Sequence, residues 1–577
     1  MKLLRILCLT LLASGLAMGQ TSGTNNGSAG DNSSVASELK ALREAINAQQ
    51  KQIAEQQQQL GEQRQEIKQL RQQVGTAPQA VAAKTGEGSA TLVNTTLHTE
   101  TAATAPSALP SSDAPQDAPK ESPLSFRIGG ADFTPGGFVD FETVWRTTNL
   151  GSGISTSFGA LPFNNTIQGH LSEFRMTGQY SRFNLKVSDK FGDNNVTGYL
   201  EGDFNGNDAA NVFVTSNPHT NRLRLYWVDL KRGKWEFLGG QSWGLLTPNR
   251  TGLSPMPADL ALTYNEDANV QVGINYTRAG TFRAVYHPND HWAFGASIEN
   301  PDQFVGAGEV IFPFAFNAAL GPQFDAANQT TVPNPYPDFI PKLSYDNNFG
   351  NGQHFHFEVG GLLTTVKITN VPIGGTTFVH HQSTGGSGEA AFNVDVVKGF
   401  RVLANGLWGA GNGRYMIGLG PQAVVRPIQN SPTTFDIETS LVHSGNALVG
   451  IEINPTNAPK SQFGFYYGGV YFGRNAFGDT TSPIVLSTPI ACGTGQTPQN
   501  KPCIGFGGLN SPNSANRAIQ EATFDYTHTL WKNAQHGALL WITQTSYVTR
   551  APWFVANGAP KNAHLLQAYV SLRYVLP

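Results

Sequence analysis

Six charged side chains fall at alternating positions in three short segments: Arg182 and Lys186, Glu201 and Asp203, Arg222 and Arg224. Residues two apart on a β-strand share a face. Arg182, Asn184, Lys186 and Ser188 then oppose Phe183, Leu185 and Val187. Tyr199, Glu201, Asp203 and Asn205 oppose Leu200 and Phe204, and Arg222 and Arg224 oppose Leu223, Leu225 and Trp227. An upstream strand adds Asp140 and Glu142 to the charged set. A ladder of guanidiniums can draw in carboxylates, which it pairs bidentately. The same groups can equally close cross-strand ion pairs that hold a wall together. The two readings have equal weight, and the mixed signs leave selectivity open.

The elements that must position these groups are strands. From about residue 134 onward the chain alternates polar and apolar residues, punctuated by turn signals such as Arg232-Gly233-Lys234, His287-Pro288-Asn289-Asp290 and Lys398-Gly399. Seven short turns alternate with long loops at 148–169, 206–220, 244–267, 301–337, 370–385, 411–433, 474–516 and 551–562. Sixteen antiparallel strands follow, provided that 170–188, 268–287 and 434–453 are each one long strand. The last segment is the clearest: Leu566, Ala568, Val570, Leu572, Tyr574 and Leu576 alternate with Gln567, Tyr569, Ser571 and Arg573. The residues from Arg517 to Trp531 repeat the pattern, with Ala522, Phe524, Tyr526 and Leu530 against Glu521, Thr523, Asp525 and Thr527. The fold class is an all-β transmembrane barrel, with long loops outside and short turns in the periplasm. Only 14% of residues are charged and 39% hydrophobic, with 63 glycines, and no apolar run approaches a membrane-spanning helix. A chain of this kind enters lipid only as a closed barrel. A charge on the lipid face near the midplane costs roughly 2–4 kcal/mol, so the charged rows are assigned to the lumen. The third loop carries Arg250, Asp259, Glu266 and Asp267, and folds either inward as a constriction or outward.

The N-terminal quarter reads differently. Residues 1–19 form a secretory signal, with Lys2 and Arg5 ahead of an apolar stretch and small residues at Ala17 and Gly19. Residues 20–34 are Ser, Thr, Asn and Gly and read as disordered. Over 35–74 a heptad register appears. Leu39, Ile46, Ile53, Leu60, Ile67 and Val74 stand seven apart, and Leu42 and Leu70 occupy the companion position among glutamines. This is the pattern of a coiled coil, with a homotrimer favoured. Residues 75–123 are a flexible linker, and the barrel domain spans 124–577. The expected location is the bacterial outer membrane, with the coil in the periplasm, where it could also bind envelope components.

Cys492 and Cys503 lie in a loop rich in Gly, Pro, Gln and Asn, which in an exported protein reads as a disulfide. No metal set, cofactor motif or enzymatic constellation stands out. Gly240-Gln241-Ser242-Trp243-Gly244 matches a nucleophile elbow in letters, but a Pro/Gly loop follows it where that motif requires a helix. His380-His381 sits in an expected loop with no third ligand at useful spacing. The net charge of −3 gives no sign of a nucleic-acid partner.

The run Ser181-Arg182-Phe183, then Glu201-Gly202-Asp203-Phe204, then Arg222-Leu223-Arg224 and Gly240-Gln241-Ser242-Trp243 resembles the DcaP-like porins in order and spacing. The resemblance covers roughly residues 134–243. It implies a trimer of sixteen-stranded barrels with a periplasmic coil, and passive diffusion of small hydrophilic, anionic or dicarboxylate solutes through outer-membrane lipid. A carbohydrate- or phosphate-type porin is the neighbouring reading. A closed barrel serving as an envelope tether or adhesin anchor is the alternative of a different class.

Overall fold

The computed structural model describes residues 122–577 apart from 207–218, 257–270, 307, 327–331, 351, 417–419 and 432–433. The heptad core residues Leu39, Leu42, Ile46, Ile53, Leu60, Ile67, Leu70 and Val74, and the acidic groups Asp259, Glu266 and Asp267, lie outside the described residues.

Sixteen barrel strands follow in chain order. They are β1 (Ala131–Arg146), β2 in two parts (Glu173–Thr177 and Arg182–Phe191), β3 (Asn194–Asp203), β4 (Arg222–Arg232), β5 (Trp235–Trp243) and β6 (Arg278–Tyr286). Then come β7 (Trp292–Glu299), β8 (Asp338–Asn348), β9 (His354–Asn370), β10 (Val379–Val397) and β11 (Phe400–Ala410). The last five are β12 (His443–Ile453), β13 (Ser461–Phe472), β14 (Asn516–Asn533), β15 (Gly537–Pro552) and β16 (Ala563–Val575). Each pairs antiparallel with the next. β16 returns to β1, from Phe138↔Val575 to Arg146↔Gln567, and closes the ring. Closure leaves no open edge, so every strand satisfies its backbone within the sheet. A short strand, Phe126–Ile128, folds back onto the start of β1.

Burial follows the period-two pattern, with polar groups inside. On β16, Gln567, Ser571 and Arg573 are buried while Leu566 and Leu572 are exposed. Phe141, Leu200, Val228, Phe282, Val449 and Phe465 stand exposed on the outer face. An outer apolar band around a polar interior suits a barrel solvated by lipid. Aromatic pairs mark the short-turn rim: Trp235–Tyr286 at 4.8 Å between centroids, Trp292–Tyr345 at 4.7 Å and Trp531–Tyr574 at 6.0 Å. Trp408 stacks on Tyr471 at the long-loop end. Such girdles sit where lipid meets water.

The strand count and the alternation of short and long connections agree with the sequence reading, while several boundaries do not. The segment 170–188 is broken at residues 178–181, so the far half of β1 pairs with Glu173–Thr177 and its near half with Arg182–Ser188. Gly137 occupies the bend with φ of +131°, and a Cβ there would lie 2.1 Å from the Arg182 carbonyl oxygen. The barrel strand in 268–287 starts only at Arg278; residues 271–277 before it hang inside the lumen. In 434–453 the first half pairs with Ala423–Ser431 as a hairpin of the sixth long loop, and β12 begins at His443. β10 begins at Val379 rather than after residue 385, so His380 and His381 lie on a strand. On β4, Leu225 and Trp227 face inward, contrary to the sequence expectation. The ladder shifts by one between Glu201 and Gly202, making Arg224 a bulge, and a bulge reverses which face the following residues occupy.

Cys492 and Cys503 form a disulfide with Cα atoms 5.2 Å apart. It sits beside a small hairpin of the seventh long loop, Asn475–Gly478 with Cys503–Phe506, against Ala476. Closing a ring of this size contributes roughly 2–3 kcal/mol of local order. Replacing both cysteines by serine should speed proteolytic nicking of this loop about a hundredfold at most, with thermal unfolding of the barrel unchanged.

Candidate functional site in the barrel lumen

The third long loop folds inward. Its described parts, 244–256 and 271–277, hang on inward-facing side chains from half of the ring. At its start, the Leu245 N–H donates to Glu299 Oε1 of β7 at 2.9 Å. Farther down, the Asn249 N–H donates to Glu358 Oε1 of β9 at 2.7 Å and the Gly252 N–H to Asp346 Oδ2 of β8 at 2.9 Å. Lys342 of β8 donates to the Thr247 carbonyl at 3.1 Å. On the return, the Val272 N–H donates to Glu521 Oε2 of β14 at 3.0 Å, and Asn405 of β11 donates to the Gly273 carbonyl at 3.0 Å. Gly468 on β13 lets the loop backbone close in, since a Cβ there would lie 1.8 Å from the Val272 carbonyl oxygen.

Arg250 is the loop's charged anchor. Its guanidinium forks onto Glu452 of β12, with Nη1 donating to Oε2 at 2.8 Å and Nη2 donating to Oε1. Tyr466 of β13 donates to the same carboxylate at 2.9 Å. Arg250 is 5% exposed and Glu452 1%, so the pair is held away from water. Beneath the loop, Lys342 lies between Glu358, which it contacts as an ion pair, and Glu389 at 3.4 Å. All three are fully buried.

The facing wall is rich in arginine. Arg573 donates from Nε to Asp140 at 3.0 Å and lies over the Phe138 ring, and Arg182 covers the same ring. Arg182 reaches toward Glu201 at 3.7 Å. Arg224 binds both Glu201 (2.8 Å) and Asp203 (3.0 Å), and Arg222 forks onto Asp203 at 3.0 and 2.7 Å. Arg224 and Arg278 lie over Trp243. The row therefore splits. Arg224 and Arg573, 1% and 2% exposed at the side chain, are built into the wall, whereas Arg182 and Arg222 keep 16% and 28% exposure. Lys186 is half-buried farther toward the short-turn end. Asp140 and Glu142 are buried on β1, and the Glu142 carboxylate has no hydrogen-bond partner among the described residues.

Sequence reading found most of this wall but missed Arg146, which pairs with Glu173 at 2.8 Å, and Lys342 with its two glutamates. Lone acidic or amide residues at inward positions (Glu358, Asn405, Glu452, Glu521) were the available signal for an inward loop. Ser242 is buried, with its hydroxyl donating to the Trp243 carbonyl and accepting from Arg283, and the chain beyond it enters the loop rather than a helix. His381 contacts Asp436 at 3.1 Å.

The first loop narrows the mouth further. Leu161 and Phe163 pack with Leu245, Leu253 and inward wall residues including Val548, while Arg550 donates to the Leu161 carbonyl. In the fourth loop, Glu309 keeps some surface exposure, but protein surrounds its carboxyl closely enough that burial pushes it up to about 8, against the pull of Arg550. A carboxyl raised in the folded state stabilises fully below its ordinary value near 4.5 and loses that contribution as pH rises through about 8. Proteolysis of the loop at 301–337 should accelerate as pH rises from about 5 to about 8 and level off above that, and Glu309→Gln should remove the dependence.

No family model and no curated protein matches the chain. Among solved structures it is similar in fold to the outer-membrane channel DcaP of Acinetobacter baumannii, with 14% identity, a TM-score of 0.48, and coverage of 77% of this chain and 97% of that one. It is similar to OmpF of Salmonella typhi solved with daunomycin, at 12% identity and a TM-score of 0.42, covering 78% and 100%. An anion-selective porin from Comamonas acidovorans also matches, at 10% identity and a TM-score of 0.40, covering 77% and 99%.

Proposed function

We propose that this chain is an outer-membrane porin through which small hydrophilic solutes diffuse passively between the inward third loop and the arginine-bearing wall. The observation that carries this is which of the lumen's charges stay exposed. Glu299, Glu358, Glu452 and Glu521 are taken up in holding the loop to one half of the ring. Arg182 and Arg222 keep exposure on the other half. A passage bordered by guanidiniums in a low-dielectric wall favours anions, carboxylates among them. Small anions, including dicarboxylates, are therefore the solute class. The reading keeps the heptad segment as a periplasmic coil joining three copies, on the strength of its spacing.

Liposome swelling tests the solute class. Vesicles carrying the folded protein should swell faster in a four-carbon dicarboxylate than in a neutral sugar of similar size, and R182A/R222A should abolish the difference. Swelling no faster than in protein-free vesicles would contradict the porin reading.

A further inference from the structure

On the outer face of the barrel, at the long-loop end, two arginines share one indole. Arg474 follows the end of β13, and its guanidinium carbon lies 4.8 Å from the centroid of the Trp553 ring. Arg517 lies near the start of β14, where the ladder to β15 skips from Asn516 to Ala518, and its guanidinium carbon lies 5.9 Å from the same centroid. Both arginines are exposed. Among the described residues, neither has a carboxylate within ion-pairing distance.

The platform beneath them is fixed. The Trp553 indole N–H donates to the Phe472 carbonyl at 2.9 Å, and its backbone N–H donates to the Ala515 carbonyl at 2.9 Å. One ring is thereby tied to the ends of both strands that carry the arginines. Tyr471 meets Trp553 edge-on at 6.0 Å and stacks on Trp408 at 6.2 Å. Trp408 is 58% exposed and Tyr471 39%, both pointing away from the lumen. The site therefore lies at the aromatic belt, where lipid gives way to water. Two like charges seated on one ring repel each other, and an anion bound beside them relieves that repulsion while accepting charge-assisted hydrogen bonds. An anion whose remainder is apolar gains as well from the aromatic surface just below.

We propose that Arg474 and Arg517, seated on Trp553, bind the phosphate headgroup of an outer-leaflet lipid. The proposal rests on the chain being a membrane barrel, and is independent of whether its lumen conducts.

The test is native mass spectrometry of the full-length folded protein in detergent, titrated with bisphosphorylated lipid A. Wild type should retain the lipid. R474Q/R517Q should bind it weaker by about tenfold or more, with part of the loss restored in R474K/R517K. Dephosphorylated lipid A should bind wild type and the glutamine variant alike, and millimolar inorganic phosphate should leave the bound lipid in place. Equal binding of the phosphorylated lipid by wild type and R474Q/R517Q would overturn the proposal. So would displacement by inorganic phosphate, which would mark a site for the free anion. Heat-modifiable migration on the same preparations reports the barrel itself, so its loss in wild type would indict the membrane reading rather than this site. Both arginines are surface residues; if the double variant does not fold, R517Q alone makes the same comparison.

Discussion

Replacing Arg250 with alanine should raise both the mean open-channel conductance and its noise. Arg250 and Glu452 form a buried, forked pair that ties the third loop to β12. Removing one partner of such a pair typically costs about 3–5 kcal/mol, because the other charge stays buried alone. Applied to the loop's docked state, that corresponds to roughly a thousandfold shift in its equilibrium. The backbone anchors at Glu299, Glu358 and Glu521 remain, so the loop should flicker rather than leave. Glu452→Ala should give the same phenotype, and the double variant should be no worse than either single one, because both act through one interaction. Gly468→Val reaches the same loop without touching a charge, since a side chain there would strike the Val272 carbonyl. It should also enlarge the conductance. Quiet, wild-type channels from all three single variants would show that the loop does not set the conductance.

The second large effect concerns stability. Lys342→Met should destabilise the folded barrel by about 3–5 kcal/mol in urea titration, because it removes the cation between two carboxylates in a fully buried site, leaving Glu389 without it and Glu358 with only His356 and the Asn249 N–H. Lys342→Met combined with Glu358→Leu and Glu389→Leu should recover most of that loss, because an apolar cluster of similar volume does not carry the desolvation penalty of the ions. The triple variant should nonetheless keep a loosened loop, having lost the Asn249 anchor to Glu358. Stability and conductance would then separate. A triple variant as unstable as the single one would place the cost in packing rather than in uncompensated charge.

The strands were legible because each has one face in lipid and one in the lumen, which writes a period of two into Arg182–Ser188, Tyr199–Asp203 and Leu566–Arg573. Closure into sixteen strands followed from even counting of turns and loops. The inner face of β4 past Arg224 was not legible, since a one-residue bulge leaves no mark in composition yet turns Leu225 and Trp227 inward. The segment before Arg278 misled for a related reason. Val272, Ile274 and Tyr276 alternate as a strand would, but the nearby hydrogen bonds of the Val272 N–H and the Gly273 carbonyl go to Glu521 and Asn405 side chains. Those partners are 249 and 132 residues away, beyond the reach of any local pattern. The arginine row was visible as a row; its division into wall-bound Arg224 and exposed Arg182 and Arg222 depends on which carboxylates each one meets.

The most direct test of the passage between the loop and the arginine wall is single-channel recording in planar bilayers, with reversal potential measured under a salt gradient. Wild-type protein should give discrete conductance steps with an anion-selective reversal potential, and R182A/R222A should keep the steps while moving the potential toward cations. Folded protein that inserts but never conducts, or an unchanged reversal potential in that variant, would contradict it.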